Sequence, residues 1–170
     1  MRGHPSRVEH AVEAPTTNRP PWTPGGFSIE RGTWLSRVTW AVLFALPTAV
    51  FITAAWLTPN PHGHGTHTQL GLPPCGFLLF TGYPCPGCGL TTAFSYMIRL
   101  DFVGAWLANP FGIALFLATA AFIPVAALGF VRGWGVVAAL DRMHAEKVAI
   151  VLALLSLVTW ITRVSVQWMS

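Results

Sequence analysis

Residues 38–57 read VTWAVLFALPTAVFITAAWL, twenty residues without one charged side chain. A helix of that length, rising 1.5 Å per residue, measures about 30 Å, the thickness of a bilayer's hydrocarbon core. The stretch is therefore read as a transmembrane helix. Trp34, Trp40 and Trp56 suit the two membrane interfaces, and Pro47 is expected to bend the helix. The run is longer, and lies further from Met1, than the apolar region of a cleaved signal peptide, so it is expected to stay as an anchor.

Two more stretches of this kind follow. Residues 111–131 are uncharged and come after Asn109-Pro110, a pair that suits a helix start because the missing N–H of Pro110 costs nothing in the first turn. Pro124 is expected to bend that span. Residues 148–166 form the third, with Arg163 late enough to reach the interface as a snorkelling anchor. Composition agrees: 53% of the 170 residues are hydrophobic and 9% charged, against about 25% charged in a soluble domain. The expected fold class is all-α: a polytopic membrane protein of three transmembrane helices, with an external interfacial or re-entrant segment that carries the cysteines.

Charge orients this arrangement. Five arginines precede residue 38, and Arg132, Arg142 and Lys147 fall between the second and third spans, whereas residues 58–108 contain Arg99 as their one Lys or Arg. Cytoplasmic segments carry the excess of Lys and Arg. The N-terminus is thus expected in the cytoplasm, at a cell (inner) membrane, and residues 58–108 outside it. Residues 1–33, with five prolines and no apolar periodicity, are expected to form a disordered tail, and residues 34–170 a single membrane domain. The net charge of +4 flanks apolar runs instead of forming one basic face, so nucleic acid is not an expected partner. The expected partners are the bilayer and, for an accessory subunit, another membrane protein.

Chemistry concentrates between residues 58 and 108. Tyr83-Pro84-Cys85-Pro86-Gly87-Cys88-Gly89-Leu90-Thr91 sets two thiols three residues apart ahead of an expected helix over residues 90–98, with shorter helical turns around it. Such a pair brings two sulfurs within reach of one metal or of each other. Three uses remain open: a structural turn clamped by a disulfide or holding buried thiols, a transition-metal site, and thiol–disulfide exchange with Cys85 and Cys88 as the reacting pair. For a metal, Cys75, Cys85 and Cys88 supply three soft ligands, and His62, His64 or His67 completes a tetrahedron suited to Zn or Cu. No βαβ pattern of a thioredoxin-like site surrounds the pair. Asp101 is the sole carboxylate of the segment, which excludes paired-carboxylate chemistry there; Asp101 and Asn109 are expected to satisfy helix ends. Nucleophile-elbow, P-loop and dinucleotide motifs are absent. These readings favour a structural or accessory subunit of undetermined activity over an enzyme.

The run from Pro74-Cys75 through Cys85-Pro86-Gly87-Cys88-Gly89-Leu90-Thr91 and Ala93, then Asp101, Ala105 and Asn109-Pro110, resembles a family of small bacterial membrane proteins of unknown function. Its signature is a Cys-Pro-x-Cys-Gly-Leu/Met-Thr-Arg-Ala box followed by Gly-Asp and Asn-Pro. The resemblance spans residues 70–128 and implies shared roles for Cys75, Cys85, Cys88, Gly89, Thr91, Asp101, Asn109 and Pro110. This chain departs from the signature at Thr92, where the family has Arg, and at Leu100, where it has Gly.

Overall fold

The computed structural model describes residues 32–169. The tail expected at residues 1–33 falls, apart from its last two residues, outside the described residues. Seven α-helices follow one another: α1 Trp34–Trp56, α2 Gly76–Thr81, α3 Leu90–Ile98, α4 Phe102–Ala108, α5 Pro110–Arg132, α6 Val136–Arg142 and α7 Ala145–Met169, with a 3-10 turn at Thr66–Leu70. No β-strand occurs among the described residues. Helices α1, α5 and α7 are long and apolar enough to cross a membrane. The burial inside them is slight: α1 buries only Trp40 and Ala54, and α7 buries nothing. Faces so apolar and so little covered by protein suit insertion in a lipid bilayer. Pro47 and Pro124 both lie inside their helices, and Pro110 opens α5. The polar connection after α5 holds a short helix, α6, that its mixed composition did not announce.

Two cores, one toward each end of the long helices, hold the bundle. At the first, Trp40 is fully buried against Ala126 and Ala139 and donates its indole N–H to the Trp134 carbonyl at 2.9 Å. Its ring lies flat enough on α5 that a Cβ at Gly129 would come within 2.6 Å of it. At the second, Ala93, Met97, Ala105 and Ala108 pack α3 and α4 against α5. Small side chains allow this close approach, which lipid alone does not drive. The rings of Phe51, Phe94 and Phe116 tie α1, α3 and α5 together, with centroids 4.6 to 5.8 Å apart.

Helix ends near the second core are closed by side chains. Asp101 accepts from the Gly104 N–H at 2.8 Å and caps α4; Asn109 accepts from the Phe111 N–H at 3.1 Å and caps α5. Arg99 reaches from the end of α3 to the open end of α1, donating to the carbonyls of Ala54, Ala55 and Leu57 at 3.4, 3.1 and 2.9 Å, and to its own helix at Ser95 at 2.7 Å. A guanidinium there satisfies carbonyls that the helix itself leaves without donors. The start of α5 and the late turns of α7 meet residues 82–89.

Candidate metal centre

Prolines and glycines shape the cysteine turn. The Cys88 N–H bonds the Cys85 carbonyl at 3.0 Å and the Leu90 N–H bonds the Gly87 carbonyl at 3.1 Å, leading straight into α3. Gly89 carries the reversal at φ +87°, and a Cβ there would lie 2.5 Å from the Ala108 carbonyl oxygen and 2.7 Å from that of Gly63. Glycine is thus required twice, by the left-handed backbone and by the close approach.

The turn is fastened from two sides through its carbonyl groups. Asn109 donates to the Cys88 carbonyl at 3.0 Å and to that of Pro86 at 3.4 Å. Helix α7 contributes Trp160, whose indole N–H donates to Pro84 at 2.8 Å, Arg163, which donates to Cys88 at 2.9 Å, and Gln167, which donates to Gly82 at 3.2 Å. Arg163, expected as a snorkelling anchor, is half-buried and turns inward to the cysteine turn. Neither Trp160 nor Gln167 stands out in the sequence. Their spacing with Arg163, at i, i+3 and i+7, is the signal: one face of an otherwise apolar helix able to donate hydrogen bonds.

The three cysteines converge. All are free thiols, and their sulfurs lie within 4.8 Å of one another; Cys85 and Cys88 are 3.5 Å apart. Cys88 is buried and the other two half-buried. Burial pushes the Cys88 thiol up to about 12. Cys75 shifts the opposite way, because the backbone N–H of Leu78 at the start of α2 favours its thiolate.

A cavity of about 500 Å³ opens beside the sulfurs, bordered by Cys75, Cys85 and Cys88 and also by His64 and His67. The His67 Nε2 lies 3.2 Å from the Pro73 carbonyl, an acceptor only, so Nε2–H donates to it and Nδ1 is the nitrogen left for another partner. His62 is exposed and does not border this cavity; its backbone is held by the Asn60 side chain at 3.0 Å. Thr92 is buried and shares a 2.7 Å hydrogen bond with Thr66, which in turn accepts from the Asn60 N–H at 3.1 Å. This pair pins the histidine loop to α3. Thr91 borders the cavity, while Asp101, Asn109 and Pro110 serve the helix ends.

A family model described as a protein of unknown function (DUF2752) matches residues 75–123. That match begins at the first of the three cysteines and runs through α2, α3 and α4 into α5. No curated protein and no solved structure matches the chain.

Proposed function

We propose that this membrane protein is a structural or accessory subunit whose cysteine turn is clamped by a transition metal, held by the thiolates of Cys75, Cys85 and Cys88. The observation that carries this reading is the convergence of three sulfurs to within 4.8 Å of one another. Tetrahedral zinc with Zn–S bonds of about 2.3 Å requires sulfurs about 3.8 Å apart, so shifts of about 1 Å bring the three sulfurs to that spacing, while the loop histidines lie outside the group of atoms that converge within 4.8 Å. His67 is the fourth ligand best prepared for it: it borders the same cavity, and the bond from Nε2–H to a backbone carbonyl is the support that metal-bound imidazoles generally use. A Cys₃His set is a known structural zinc type. Three thiolates around monovalent copper form the alternative that a metal analysis separates. The clamp fixes a proline- and glycine-rich backbone that buries little surface of its own.

On the charge bias of the sequence, the centre faces away from the cytoplasm and the N-terminus lies within it. The partners fitting this reading are the bilayer and another membrane protein.

The test is to purify the protein in detergent without added chelator, quantify metals, and count thiols with and without reduction and chelation. One equivalent of zinc, with three thiols that react only after chelation, is expected, along with its loss in Cys88→Ser. Protein free of metal, with one reactive thiol before reduction and three after, would overturn the metal clamp in favour of a disulfide, whether structural or exchanging with a partner.

A further inference from the structure

A metal centre inside a folded chain needs an entry path as well as ligands. Here the carbonyls of the cysteine turn are taken up by Asn109, Trp160 and Arg163, while all three cysteines border the cavity of about 500 Å³. That volume is many times the share of one water molecule, about 30 Å³, so a cation can enter with its hydration shell. Exposure falls along the lining: His64 is exposed, His67, Cys75 and Cys85 are half-buried, and Cys88 is buried.

The loop holds His64 at the exposed border. Gly63 and Gly65, on either side of it, both take left-handed backbone, at φ +76° and +84°. The Gly63 N–H bonds the Asn60 carbonyl at 3.0 Å, and the Gly63 carbonyl approaches so close to Gly89 that a Cβ there would lie 2.7 Å from it. The hydroxyl pair of Thr66 and Thr92 fixes the loop on the other side of His64. The histidine thus rides on a segment pressed against the cysteine turn itself.

We infer that His64 is the entry ligand of the centre: its imidazole captures a divalent cation such as zinc at the exposed border of the cavity and hands it inward to Cys75, Cys85 and Cys88. Imidazole binds zinc well and three thiolates bind it better, so the transfer runs downhill. The bond to His64 breaks as the bonds to sulfur form, and the thiol protons leave to water. His64 holds the metal only in passing. This inference rests on the proposed thiolate centre and adds the route by which it is loaded.

The test uses the full chain in detergent, reduced and free of metal, with cobalt(II) as the probe. Loading is followed in a stopped-flow instrument by the thiolate-to-cobalt charge-transfer absorbance, and release by transfer to a chelator. His64→Ala is expected to load about tenfold more slowly and to release more slowly by the same factor, reaching the same final absorbance and affinity. His64→Gln, which keeps the side-chain size without a strong metal donor, is expected to match it, and His62→Ala to behave as wild type. Unchanged rates in both His64 variants would overturn the entry role and leave the centre standing. A lower affinity or a changed final spectrum in them would make His64 a resident ligand, which also overturns it. A wild-type chain that develops no cobalt–thiolate absorbance would overturn the centre, and the entry role with it.

Discussion

Leu100 stands at φ +60°, where an L side chain costs about 1–2 kcal/mol. The position closes α3: the Asp101 N–H bonds the Tyr96 carbonyl and the Leu100 N–H that of Met97, both at 3.0 Å, the paired bonds of a cap that glycine normally ends. Leu100 is 74% exposed, so its side chain contributes little packing within the chain. Leu100→Gly is expected to stabilise the protein by about 1 kcal/mol, read as a rise of a few degrees in the apparent melting temperature in detergent. Gly89→Ala is expected to act in the other direction, costing several kcal/mol and the metal with it, because two carbonyls occupy the space its methyl needs. Gly82→Ala serves as the control: at φ +75° with nothing within 4 Å, it is expected to cost only the backbone term of about 1–2 kcal/mol. Thiol chemistry follows the same local logic. In metal-free, reduced protein near neutral pH, Cys75 is expected to alkylate well before Cys88, since its lowered pKa enriches the thiolate while burial holds Cys88 protonated; peptide mapping after a timed iodoacetamide pulse checks the order.

Helices here are joined by two small cores and also by side chains that close their ends. Arg99 donates to three carbonyls at the end of α1, and its exposure keeps the value of those bonds near the lower part of the range for charged donors. Arg99→Met is expected to cost about 2 kcal/mol and to raise hydrogen exchange at the last turn of α1 while the rest of that helix stays protected. Helix α7 buries no residue, and its hold on the cysteine turn is the row of Trp160, Arg163 and Gln167. Arg163→Met removes a donor from the Cys88 carbonyl and a positive charge from beside the thiolates. Its expected effect is weaker metal retention under chelator competition, by about tenfold, with Arg163→Lys retaining part of the affinity. Equal retention in Arg163→Met would mean that α7 merely lies alongside the centre.

Across the whole molecule, three antiparallel long helices bring the end of α1, the start of α5 and the late turns of α7 to one side, with the three thiols among them. If the three long helices among the described residues all cross, the start of α1 and the end of α7 lie on opposite sides of the membrane. On the proposed orientation, a reporter fused after Ser170 is expected to read outside the cytoplasm; a cytoplasmic signal would sink either the three crossings or the sidedness. On the proposed metal clamp, removing the metal is expected to lower the apparent melting temperature and to open residues 62–89 to proteolysis.

Much of this was legible in the chain. Uncharged runs the length of a bilayer mark α1, α5 and α7, because water and hydrocarbon sort side chains before any tertiary contact forms. Asp101 and Asn109-Pro110 mark helix starts, because capping acts within a few residues of itself. The convergence of Cys75 with Cys85 and Cys88 was a possibility of spacing that the loop path turned into a juxtaposition. The inward turn of Arg163, the trans-capping by Arg99 and the cavity beside the sulfurs join residues far apart in the chain. Such partnerships depend on which helix faces pack together, and local composition carries no record of that choice.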